Sequence, residues 1–127
     1  MAHYRVTEGD VLAAHDDALA FGGKDGIISM ASILSAIGRP YTGYYPKIEQ
    51  KAAALVQSLA GNHGFVDGNK RTCLLVLSLF LKRSGYGLGE PDAQLNDDLE
   101  QLIVNLASNA LTYTQTVDWF KARLIKL

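Results

Sequence analysis

An all-α fold is predicted by three observations. Apolar residues recur at helical spacing along most of the chain, no run of strict alternation is long enough for a core strand, and glycine or proline punctuates the pattern at helix-sized intervals. The 127 residues, 48% of them apolar, suffice for a single domain, 1–127, with its own core. The expected architecture is a compact bundle of six helices around a central apolar one.

The elements follow in order. Thr7 and Asp10 resemble a capping box that opens a helix over 8–21, with Val11, Leu12, His15, Ala18 and Leu19 on one face. Gly22-Gly23-Lys24-Asp25-Gly26 stops it. A short helix over 30–37 ends at Gly38, placed as a C′ residue. Residues 39–47 hold Pro40, Gly43, Pro46 and three tyrosines and read as a loop or small hairpin. Pro46 suits the first turn of a long helix over 46–62, striped by Ile48, Ala52, Leu55, Val56 and Leu59. The next, over 69–84, closes at Gly85 and is apolar almost all round from Cys73 to Leu81. That pattern belongs at the centre of a domain, so the helix around Leu74 is expected to be the one the others surround. Pro91-Asp92 opens a fifth, with Leu95, Leu99, Leu102, Ile103, Leu106 and Ala110 in register, and Thr114 caps a last one through Val117, Phe120, Leu124 and Ile125.

Composition excludes several functions. Twelve basic against thirteen acidic residues leave a net charge of −1, which argues against nucleic-acid or membrane binding driven by overall charge. The first ten residues carry His3, Arg5, Glu8 and Asp10 and lack the apolar core of a signal peptide. The greasiest stretch, 73–81, is far short of the ~20 residues of a bilayer span. One cysteine rules out an internal disulfide and suits the reducing cytoplasm. No histidines or cysteines have zinc spacing.

Chemistry concentrates in His63-Gly64-Phe65-Val66-Asp67-Gly68-Asn69-Lys70-Arg71-Thr72, between the two longest predicted helices. Its last residues form a helix N-terminus, where unpaired N–H groups and the positive dipole end attract an anion. Gly68 lets the backbone adopt φ > 0 and approach an anion closely. Lys70 and Arg71 add positive charge where the helix alone disfavours it, which a bound anion would explain. Asp67 suits Mg²⁺, which commonly takes one or two carboxylates plus substrate phosphates. His63 has the side chain suited to proton transfer near neutrality, and Phe65 is expected to pin the loop to the core. A solvated glycine-rich turn is the alternative reading of the same residues.

The segment resembles the Fic/Doc family signature, His-x-Phe-x-(Asp/Glu/Asn)-(Gly/Ala)-Asn-(Gly/Lys)-Arg, at every constrained position from His63 to Arg71. His15-Asp16, Phe21-Gly22-Gly23, Ser35-Ala36-Ile37 with Arg39-Pro40, and Asn69-Lys70-Arg71-Thr72 resemble the Doc (death on curing) branch. Two positions depart from the nucleotidyl-transferring Fic branch: Lys70 stands where that branch has glycine, and Leu74 where it has a second arginine. The resemblance therefore implies a toxin of a toxin–antitoxin module that moves the γ-phosphoryl group of ATP to a hydroxyl of elongation factor Tu and halts translation. Carried over by position, His63 is the general base and Asp67 the Mg²⁺ ligand. Gly68, Asn69 and Lys70 form the backbone cradle, and Lys70 and Arg71 neutralise charge on the transferred group. The inhibitory motif Ser/Thr-x-x-x-Glu-(Gly/Asn) has no match here, since Tyr4 stands four before Glu8-Gly9; the resemblance then implies inhibition in trans by a Phd-like antitoxin. A Fic-type AMP transferase and a catalytically idle Fic-fold binding module remain as alternatives.

The resemblance also assigns Tyr41, Gly43, Tyr44 and Tyr45 to a flap that would pair with an extended target peptide; an ordinary turn with half-buried tyrosines competes with it. Arg39 faces the site or merely ends a helix. His15 reads as a hydrogen-bonded core histidine rather than a ligand, Cys73 as packing, and Lys82, Arg83, Lys121, Arg123 and Lys126 as solvated residues at helix ends.

Overall fold

The computed structural model describes residues 3–20, 22–89 and 92–127. Six α-helices form among them: α1 (Glu8–Leu19), α2 (Met30–Gly38), α3 (Ile48–Asn62), α4 (Asn69–Arg83), α5 (Ala93–Ala107) and α6 (Tyr113–Lys121). Two strands of two residues each, β1 (Tyr86–Gly87) and β2 (Ile125–Lys126), pair antiparallel with Tyr86 opposite Lys126. The bundle and its order are as the helical periodicity predicts. Phe21 and Pro91, to which the sequence assigns the end of the first helix and the start of the fifth, lie outside the described residues.

Boundaries follow local chemistry. The Thr7 hydroxyl accepts from the Asp10 N–H and the Asp10 carboxylate accepts from the Thr7 N–H, completing the expected capping box of α1. Asp92 caps α5. Thr112, not Thr114, caps α6, because Gln115 three residues on reciprocates the bond. The α6 helix stops at Lys121, and Ile125 belongs to β2. Gly38 is not left-handed but helical, at φ −81°, and the chain runs on into a 3₁₀ turn over Arg39–Tyr41. Pro46 lies two residues ahead of α3 rather than in its first turn.

The central helix is α3, not the greasier α4. It packs against α2, the 3₁₀ turn, α4, α5 and α6, whereas α4 contacts α1, α3, α5 and β1. Ala52, Ala53 and Ala54 are fully buried in succession, and side chains of that size let neighbours approach from every side. Leu74 is only half-buried and Leu75 is exposed, so the apolar girth of α4 outruns its burial. One core joins Val6, Val11, Ile33, Leu55, Phe65, Phe80, Leu102 and Phe120. Cys73 lies inside it, its thiol pushed up to about 12 by burial, which leaves no thiolate for nucleophilic chemistry. No helix is long and apolar enough to cross a membrane among the described residues.

Arg83 is not a merely solvated helix end. It donates to the Tyr4 hydroxyl at 2.8 Å, sits 5.0 Å from that ring's centre and lies 3.7 Å from the Asp10 carboxylate.

Candidate active site

The loop between α3 and α4 is shaped by three backbone decisions. His63 ends α3 in the left-handed region at φ 47°, which turns the chain sharply out of the helix. Gly64 then passes against α2 so closely that a Cβ would collide with Ile33 Cγ1. Gly68 begins α4 at φ 77° and supplies no side-chain cap to its first turn.

Side chains lock the rest. Asn69 closes a ring back onto Phe65, accepting from its N–H at 3.0 Å and donating to its carbonyl at 2.9 Å. Phe65 is buried and stacks on His15 of α1, ring centres 3.7 Å apart and planes within 9°. The Asp67 carboxylate accepts from the Gly68 N–H at 2.8 Å and the Lys24 N–H at 3.3 Å. Those bonds hold its carboxyl below the usual range. Arg71 donates from Nη1 to the Ala18 carbonyl at 3.1 Å, on the last turn of α1, a cation meeting the negative end of a helix dipole.

All six residues that the sequence assigns to the site, His63, Asp67, Gly68, Asn69, Lys70 and Arg71, line one open cavity of about 300 Å³, joined by Val66. A second groove, of about 250 Å³, shares Lys70 and Arg71 and continues between α4 and α5 along Leu74, Glu100, Ile103 and Val104. The α5 residues carried no chemical signal in the sequence; only the departure at Leu74 pointed toward that side.

A metal at Asp67 would have little help from the protein. No group of three His, Cys, Asp or Glu side chains converges anywhere among the described residues. One exposed carboxylate fits Mg²⁺, which keeps waters and takes phosphate oxygens, and does not fit a structural metal.

The residues assigned to the flap form a turn and not the small hairpin that the sequence also allows. Among residues 41–45 no strand forms. The Tyr41 hydroxyl donates to the Tyr4 carbonyl and accepts from the Val6 N–H. Tyr45 accepts from Arg39 Nε and packs edge-on against Tyr113. Gly43 at φ 95° turns the chain, and Tyr44 points to solvent at 80% exposure. Two of the three hydroxyls are thus committed to the fold. Arg39 belongs to the turn as well: its guanidinium donates to Gln57 and Ser58 and lies over the rings of both Tyr45 and Tyr113.

The backbone that does run along the loop is 26–29. Ile27 bridges Phe65 antiparallel, the Val66 N–H donates to the Gly26 carbonyl, and the Gly64 carbonyl accepts from Ile28 and Ser29. Ile27, Ile28 and Val66 are exposed beside the cavity. Sequence reasoning missed this segment because its pairing partner lies some forty residues away and it has no periodicity of its own.

Comparison with known proteins places these features. Residues 5–81 match the Fic/DOC family. Over 84 residues the chain is 44% identical to Toxin Doc of Mycolicibacterium smegmatis, a match covering 62% of this chain and 63% of that relative. The chain thus spans less than two thirds of the length of that relative.

Proposed function

The chain belongs to the Fic/Doc family, and from that membership we propose that it is a Doc-like toxin, a phosphotransferase that moves the γ-phosphoryl group of ATP to a hydroxyl of a translation factor, elongation factor Tu by resemblance. The observation that carries the reading is the convergence of His63, Asp67, Gly68, Asn69, Lys70 and Arg71 on one cavity at an uncapped helix N-terminus.

Phosphoryl transfer asks the protein mainly for positioning and electrostatics. In this mechanism the first-turn N–H groups of α4 receive phosphate oxygens, Gly68 keeping a side chain out of the way. Lys70 and Arg71 offset the charge that builds on the transferred group. His63 takes the proton from the attacking hydroxyl, which then bonds to the γ-phosphorus as the bond to the β–γ bridging oxygen breaks and ADP leaves. Mg²⁺ bound at Asp67 would supply charge neutralisation on the phosphates. The half-apolar groove past Leu74, Ile103 and Val104 suits the nucleoside end of ATP. Lys70 occupies the space that the AMP-transferring branch keeps open with glycine, and Leu74 replaces its second arginine; both favour γ-phosphoryl over nucleotidyl transfer.

On the same reading, the exposed apolar residues Ile27, Ile28 and Val66 face the protein substrate, and a Phd-like antitoxin inhibits in trans. Incubation of cell extract with the chain and ATP labelled at the α or the γ phosphate tests the chemistry. Protein label from γ alone is expected. Label from α overturns it in favour of AMP transfer, and no label from either, with extract shown to contain elongation factor Tu, overturns catalysis.

A further inference from the structure

Resting on the reading of this loop as a phosphoryl-transfer site, we propose that His15, a buried residue of α1, is the positioning residue that holds the loop in its working conformation by gripping the peptide between Asp67 and Gly68. The imidazole is 2% exposed and lies beneath the loop rather than in the cavity. Its Nε2 is 2.8 Å from the Asp67 carbonyl oxygen. A carbonyl only accepts, so Nε2 carries the proton. One face of the ring stacks on Phe65, and its edge lies under Gly68, where an added Cβ would be 3.6 Å from Cδ2 and 3.7 Å from Nε2. A single side chain thus contacts Phe65 and Asp67 and fills the space beside Gly68.

The peptide it holds is the one most able to turn over. Gly68, at φ 77° and ψ 12°, has the dihedrals of the third residue of a type II turn, and the competing type I geometry differs by a flip of the preceding peptide plane. Glycine accepts both conformations at little cost. A flip would swing the Asp67 carbonyl toward the cavity, where its negative end opposes an anion. It would also carry the Gly68 N–H away from the Asp67 carboxylate, leaving that side chain only its longer bond from Lys24. A flip would leave the Nε2–H of the buried His15 without its acceptor, which is costly, so this bond selects one of the two states.

Two variants separate the bond from the stack. His15→Phe keeps an aromatic ring on Phe65 and removes the donor; His15→Gln keeps a donor of similar reach and removes the ring. Hydrogen exchange of the full chain is followed at residues 63–69 and, as an internal control, within α3 and α4. With His15→Phe, loop exchange is expected to rise at least tenfold with the helices unchanged, and γ-phosphoryl transfer to fall at least tenfold. His15→Gln should stay within threefold of wild type in both. Wild-type loop exchange in His15→Phe, or equal losses in Phe and Gln, overturns the proposal. If His15→Phe fails to fold, His15→Met against His15→Gln gives the same contrast with unbranched chains. A wild-type protein that transfers no phosphoryl group overturns the reading of the site, while the exchange contrast still decides the role of His15.

Discussion

The N-termini of α1 and α4 solve the same physical problem in opposite ways. At α1, Thr7 and Asp10 exchange hydrogen bonds, and Glu8 and Asp10 place negative charge against the dipole. At α4, the cap is a glycine with no side chain to offer, no acid stands in the first turn, and Lys70 and Arg71 put positive charge where the helix disfavours it. The first end is capped by its own side chains; the second has no side-chain cap. Neighbouring geometry enforces the contrast, since His15 and Ala18 of the capped helix carry the Asp67 carbonyl and the Arg71 guanidinium of the uncapped one. The helix satisfied internally serves as the frame for the one left open.

The largest expected effect comes from emptying the open end of its base. His63→Ala should lower γ-phosphoryl transfer by ~10²–10⁴-fold and abolish growth inhibition. The side chain is exposed and its left-handed backbone is unchanged in kind, so the melting temperature should stay within a few degrees. Wild-type toxicity in a folded His63→Ala protein would remove His63 from the chemistry.

Gly64→Ala should strike the frame instead. The new methyl collides with Ile33 Cγ1 and crowds Ile33 Cδ1 at 3.2 Å. Overpacking of this kind costs about 1–3 kcal/mol, to be read as a lower urea midpoint at constant slope. An unchanged midpoint would mean that α2 yields readily and that the loop is not held as tightly as its contacts imply.

Thr7→Ala removes the self-sufficient cap and should cost ~0.5–2 kcal/mol without altering phosphoryl transfer. It also carries a pH signature. Burial pushes the Asp10 carboxyl up, but bonds from Tyr4 and from Thr7, with Arg83 nearby, outweigh it and hold the value below the ordinary 3.8. A depressed carboxyl contributes stability above its unfolded value, lost as pH falls through the folded one. Loss of the Thr7 hydroxyl should therefore move the midpoint of acid unfolding to higher pH. An unshifted midpoint would show that Tyr4, the backbone N–H of residue 7 and Arg83 hold Asp10 without the hydroxyl.

How much of this was legible in the sequence depended on the range of the interaction. The capping box, the glycine at Gly85 and the loop from His63 to Arg71 are local patterns, and each could be read directly. Centrality was misread because hydropathy counts greasy residues, whereas packing at a crossroads rewards small ones. Leu74 and Leu75 made α4 look central, while Ala52–Ala54 made α3 so. The use of the Tyr41 hydroxyl by Tyr4 and Val6 was not legible, because those residues lie 37 and 35 positions away. The pairing of Ile27 with Phe65, and the grip of His15 on Asp67, join residues 38 and 52 apart, beyond the reach of any periodicity.

The smallest effect on stability is also the one that isolates the comparison most cleanly, because its sign reverses between fold and function. Lys70 is exposed in the first turn of α4, so replacing it by glutamate removes an unfavourable charge and adds a favourable one. Lys70→Glu should raise stability by ~0.3–1 kcal/mol, measured as a higher urea midpoint at low salt and erased at high salt as the charges are screened. The same change should weaken binding of inorganic triphosphate at the helix end. A residue whose loss stabilises the helix and empties the site is there for the ligand. If Lys70→Glu lowers stability, or raises it without loss of triphosphate binding, the lysine serves the fold, and the difference between the two helix ends is one of sequence alone.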